Sequence, residues 1–98
     1  MEKRVGVVSI LINRRESVPE VNAILTFYHD SVLGRQGLPL KDKGIYVISL
    51  IVEGTTDQIG ALTGKLGRLS GVQVKSMLTK HREDDQDDDI TENGTHIH

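Results

Sequence analysis

Apolar and polar positions follow two periods along this chain. From Arg4 to Ile12, valine and isoleucine dominate, and β-branched side chains favour extended backbone. One face of that stretch is Gly6, Val8, Ile10 and Ile12; the other is Val5, Val7, Ser9 and Leu11. Both are largely apolar, which predicts a strand buried on two sides. Asn13-Arg14-Arg15-Glu16 is a polar break. Ser17-Val18-Pro19-Glu20 then has the form of a capping box. Pro19 in a first helical turn loses no hydrogen bond. Val18, Val21, Leu25, Tyr28 and Val32 recur at helical spacing, and Ala23, Ile24 and Phe27 widen the stripe. Gly34 and Gly37 punctuate the next stretch. Arg35–Lys41 is a weak strand signal, and Pro39 places it at a sheet edge. Asp42-Lys43-Gly44 is a turn short enough to make a tight hairpin with Ile45–Glu53, the strongest strand signal in the chain. Gly54-Thr55-Thr56-Asp57 supplies a turn and N-cap candidates. Ile59, Leu62, Leu66 and Leu69 predict a second helix, stopped by Gly71. Val72–Thr79 alternates, with Val72, Val74, Ser76 and Leu78 inward.

The order is strand, helix, strand, strand, helix, strand. Right-handed crossovers fold two such units into an α+β, ferredoxin-like βαββαβ sandwich: a four-stranded antiparallel sheet with two helices on one face. The first and third strands then lie in the middle. Their second faces carry Val5, Val7, Ser9 and Leu11, and Ile45, Val47, Ser49 and Ile51. A sheet face in contact with water should alternate to polar residues, and only the two serines do. Monomers rarely expose apolar patches beyond a few hundred Å². Hiding a patch of roughly 500 Å² contributes on the order of 12 kcal/mol per subunit before association costs. These eight residues are therefore expected to form an oligomer interface, in a dimer or tetramer.

Composition narrows the domain. The chain has 98 residues, but residues 1–80 carry 11 Lys/Arg and 7 Asp/Glu, whereas 81–98 carry one and 7. The folded unit is expected over 1–80, with 81–98 as an acidic disordered tail. Without cysteine there is no disulfide framework, thiolate zinc site or iron–sulfur cluster. The apolar run Val5–Ile12 lacks a small-residue cleavage site and is far short of a membrane span, so a soluble cytoplasmic chain is expected. Three aromatic residues argue against base-stacking nucleic-acid modules.

Catalytic constellations are missing from this pattern. Gly60-Ala61-Leu62-Thr63-Gly64-Lys65 has a superficial likeness to a phosphate-binding loop but lies within a helical stripe. An acylphosphatase-like enzyme would share the fold class, yet its phosphate loop needs glycines that Asn13–Glu16 lacks. His29 is the one histidine of the folded part and falls near a helix end, where a cation suits the dipole. No ligand-spaced pair offers a metal site there; His96 and His98 form a His-x-His only at the terminus. No catalytic residue, cofactor or metal is assigned. Gly60, Gly64 and Gly67 cost helix propensity. Their spacing predicts close approach of another backbone, either the chain's own sheet or first helix or a helix of another subunit.

The opening Met1-Glu2-Lys3-Arg4, the Arg35-x-Gly37-x-Pro39 motif and, above all, the segment Ile59–Lys75 (IGALTGKLGRLSGVQVK) resemble the iron-only hydrogenase system regulator family. The likeness covers about residues 1–80. It implies an ACT-like form of the ferredoxin fold, similar to the C-terminal domain of nickel-responsive repressors, together with oligomers and a regulatory role near hydrogenase maturation or expression. Nickel binding through a His-x-His strand does not carry over, because Gly44–Glu53 has neither histidine nor cysteine. The repressors' DNA-binding arm is missing too, so direct nucleic-acid binding is not expected. ACT-like ligands often sit where the loop after the first strand meets the first helix, which singles out Asn13, Arg14 and Arg15. Arg35 is the next candidate, since a guanidinium suits a carboxylate or phosphate. The reading is thus a non-enzymatic module that oligomerises through its sheet and senses a small effector. The alternative is a protein-partner adaptor or scaffold with no small ligand, for which the acidic tail would be the handle.

Overall fold

Strand β1 (Arg4–Ile12) is the hub of the structure, which is a computed structural model describing residues 2–82. It is followed by a 3-10 turn at Arg15–Ser17, helix α1 (Val18–Phe27) and a second 3-10 turn at His29–Ser31. Strand β2 (Val32–Leu40), a turn at Lys41–Lys43, strand β3 (Ile45–Gly54), helix α2 (Thr56–Gly67) and strand β4 (Val72–Arg82) complete it. The sheet order is β2-β3-β1-β4, every pair antiparallel. This is the expected four-stranded α+β architecture, with β1 and β3 central. The tail from residue 83 on, with His96 and His98, lies outside the described residues.

The core sits between one sheet face and the helices. Val8, Ile10 and Ile12 of β1 and Ile48, Leu50 and Val52 of β3 point into it, where they meet Val21 and Leu25 of α1 and Ile59, Leu62 and Leu66 of α2. These are the residues at period two in the strands and at helical period in the helices, so the pattern and the packing agree. No described buried side-chain polar atom lacks a partner.

Three local features differ from the sequence reading. Ser17 does not cap α1: its hydroxyl donates to the Ser70 carbonyl at 2.6 Å, stitching the start of α1 to the turn before β4. The capping box belongs instead to α2, where Thr55 Oγ1 accepts from the Gln58 amide at 3.1 Å and Gln58 Oε1 accepts from the Thr55 amide at 2.9 Å. Helix α1 stops at Phe27, so Val32 is not its last turn but the first residue of β2. Val32 is apolar because it faces Val52 and packs on the core, and its helical phase is coincidental. β2 accordingly starts before Arg35. A bulge between Val32 and Gly34 sets Leu33 and Gly34 together against Ile51.

For the α2 glycines one of the two expected reasons falls away. A Cβ built at Gly60, Gly64 or Gly67 meets nothing within 4 Å. No element of the chain's own sheet or first helix approaches them, so close packing inside the monomer does not account for them. Gly71 has a direct reason: its φ is 70°, and a Cβ there would lie 2.5 Å from that of Arg14.

Candidate functional site

Two surfaces carry groups that the fold does not use. The first is the sheet face without helices. Register places its residues in rows across the strands. Leu38, Val47, Leu11 and Gln73 form one row, and Gln36, Ser49, Ser9 and Lys75 the next. Gly34, Ile51, Val7 and Met77 form the third, with Leu33 beside Gly34 at the bulge. The face is thus two apolar bands separated by a polar row that crosses the whole sheet. Val5, Val7, Leu11, Ile45 and Val47 are half-buried by their neighbours, while Ser9, Ser49 and Ile51 are exposed. Leu38 is 57% exposed, Ile51 44% and Met77 65%, in a protein whose core residues are almost wholly covered.

The second surface is a cleft of about 370 Å³ at the end of the sheet, between the start of α1 and the β2–β3 hairpin. Ile12, Val18, Pro39 and Ile45 give it apolar walls, while Arg15, Lys41 and Tyr46 supply polar groups. Gly44, in the left-handed region at φ 68°, lets the chain turn back from Lys41 into β3 and leaves Lys41 in the same cleft lining as Arg15.

The four candidate ligand residues do not converge. Arg15 lines the cleft. Arg14 points elsewhere, its Nε 3.7 Å from a Glu16 carboxylate oxygen. Asn13 donates its backbone amide to the Gly71 carbonyl at 2.9 Å and so belongs to the seam with the α2–β4 turn. Arg35 lies on the helix side of β2, where its guanidinium donates to Asn22 Oδ1 of α1 at 2.8 Å. Lys41 is the residue the sequence reading passed over. It shares the cleft only because the hairpin folds its tip back, although the turn signal at 42–44 marks where that happens. His29 is outside both surfaces, with Nδ1 3.0 Å from the Thr26 carbonyl and Nε2 3.0 Å from an Asp30 carboxylate oxygen. Among the described residues, no three His, Cys, Asp or Glu side chains gather to hold a metal ion, and no helix is long and apolar enough to cross a membrane.

Residues 4–76 match the family model described as TM1266-like, iron-only hydrogenase system regulator. The chain belongs to that family. Among solved structures, the uncharacterized protein TM1266 from Thermotoga maritima is 35% identical, at a TM-score of 0.77. That similarity covers 80% of this chain and 99% of the TM1266 chain. The ACT domain of GTP pyrophosphokinase from Chlorobium tepidum matches at 16% identity and a TM-score of 0.62, over 86% of this chain and 98% of the other. The C-terminal domain of MgtC from Mycobacterium tuberculosis matches at 16% identity and 0.63, over 84% and 94%. At that identity these two establish the fold alone, which is ACT-like. No curated protein matches the chain. The family description is regulatory rather than catalytic, in accord with the resemblance carried by Ile59–Lys75.

Proposed function

We propose that this member of the iron-only hydrogenase system regulator family is a non-enzymatic module that self-associates through its open sheet face and responds to a small effector. The observation that carries the first half is the pair of apolar bands on that face, which no described element covers. The polar row between them supports a particular pairing. A two-fold axis parallel to the strands lays each row on its own copy and sets Lys75 over Gln36 of the partner subunit. An axis across the strands would set Lys75 on Lys75, and like charges in contact are unfavourable. The strand-parallel axis is therefore the arrangement that fits.

The effector half rests on the ACT-like fold and the cationic cleft at the end of β1. The family description supports a link to an iron-only hydrogenase system, and its maturation or expression is the process we take to be under control. Two measurements test the proposal. Light scattering over a dilution series should give at least twice the 10.8 kDa chain mass. Thermal melting against a broad panel of metabolites should show at least one stabilising compound. A monomeric particle throughout would overturn the first half, and flat melting across the panel would overturn the second.

A further inference from the structure

We propose that the cleft between α1 and the β2–β3 hairpin takes a small organic anion with an apolar body and no ammonium group, of which a 2-oxo acid is the type, and that it rejects the matching amino acid. This rests on the effector-sensing reading above and names the ligand class at its site. The polar lining is one-signed. Arg15 and Lys41 line the cleft, and among the described residues neither side chain has a hydrogen-bond or ion-pair partner, whereas the Arg14 side chain is taken by Glu16 and that of Arg35 by Asn22. The cleft lining includes no carboxylate, although Asp42 lines an adjoining depression that shares Pro39 and Lys41 with the cleft.

A carboxylate placed against Arg15 and Lys41 gains two cations. An ammonium on the adjacent carbon would meet the same charges with no acceptor carboxylate to offset them. The remaining walls, Ile12, Val18, Pro39 and Ile45, are apolar. They reward a hydrocarbon body, which inorganic phosphate lacks. The volume is at the small end of ligand pockets, which suits a compact metabolite.

Calorimetric titration of the full chain with the 2-oxo acid of leucine, leucine itself and inorganic phosphate tests the assignment. The oxo acid should bind, with leucine and phosphate weaker by roughly tenfold or more. Arg15→Gln and Lys41→Gln should each weaken the oxo acid by roughly tenfold, since each removes one charge-assisted contact. Arg14→Gln, outside the cleft, should leave it unchanged. Both cleft residues are exposed, so far-UV circular dichroism should show all three variants folded. Leucine binding as tightly as its oxo acid would overturn the inference and leave effector sensing in place. Phosphate binding as tightly would reduce the site to a simple anion trap. Oxo-acid binding that survived the double substitution, or no binding of any of the three, would also overturn it, and the metabolite panel then judges the sensing reading separately.

Discussion

Replacing Ile51 with aspartate puts the open-face argument at risk in a single measurement. Ile51 lies on β3 opposite Val7 on one side and the Leu33–Gly34 bulge on the other, pointing away from the core. It keeps 44% of its surface exposed, on the order of 80 Å². Covering that area against a partner is worth about 2 kcal/mol at 25 cal/mol per Å². A two-fold interface counts every substitution twice, so the loss is about 4 kcal/mol, roughly a thousandfold in dissociation constant. A buried aspartate without a cation adds a desolvation cost on top, making this a lower bound. The monomer should tolerate the change, since strand propensity alone costs at most about 1 kcal/mol. Sedimentation equilibrium over a wide dilution range reads the constant, with circular dichroism confirming the fold. Ile51→Thr keeps the β-branch and should give an intermediate weakening. The reasoning fails if wild type sediments at 10.8 kDa throughout, or if folded Ile51→Asp dissociates as wild type does.

Other substitutions test particular contacts. Gly64→Ala in α2 meets no neighbour, so it should stabilise the chain by up to about 1 kcal/mol and raise the melting temperature by roughly 4–8 °C; a drop in melting temperature would reveal a close contact at that face. Ser17→Ala removes a buried donor and strands the Ser70 carbonyl, which should cost about 1–2 kcal/mol in urea unfolding; an unchanged midpoint would refute the stitch between α1 and the β4 turn. Gln36→Glu should tighten the dimer by offering the partner subunit's Lys75 a carboxylate, whereas Gln36→Lys should loosen it; equal effects in sedimentation would exclude the strand-parallel axis.

What could be read directly from the chain was whatever depends on near neighbours. β1 and β3 were legible because long runs of Val and Ile leave no other backbone favourable, and because their two faces could be sorted by period two. The central position of these strands followed from topology. Long-range partners were not legible. Ser17 has the local spacing of a cap, and only the fold brings the Ser70 carbonyl, 53 residues away, within reach. Val32 fits a helical stripe and a core-facing strand position equally well, and the chain's turn at Ser31 decides between them. Among the four polar candidates, only Arg15 reaches the cleft, because Asn13, Arg14 and Arg35 each find an intramolecular partner that the sequence does not announce. The spacing of the α2 glycines predicts a close approach but not which side of the helix makes it; they face away from the chain's own sheet and first helix, which leaves the inter-subunit alternative.

The polar row gives the open face a function beyond being apolar. Ser9 and Ser49 in isolation look like interruptions of a greasy surface. Register joins them to Gln36 and Lys75 in a line across all four strands. A uniformly apolar face would hold two copies together in many registers of similar energy, because the hydrophobic effect is non-directional. A line of hydrogen-bonding groups between two apolar bands leaves few registers in which every polar group meets another, and each slip strands donors against hydrocarbon. In the proposed dimer the bands then provide affinity and the line provides geometry. On the proposed reading that division matters, because the proposed effector cleft lies at the end of the same sheet: Ile12 and Ile45 of that cleft belong to β1 and β3, the strands that carry most of the apolar face. A partner held in one register fixes the ends of both strands relative to its own. Ligand occupancy at the hairpin can then bias subunit geometry through two continuous strands without any rearrangement of the core between sheet and helices.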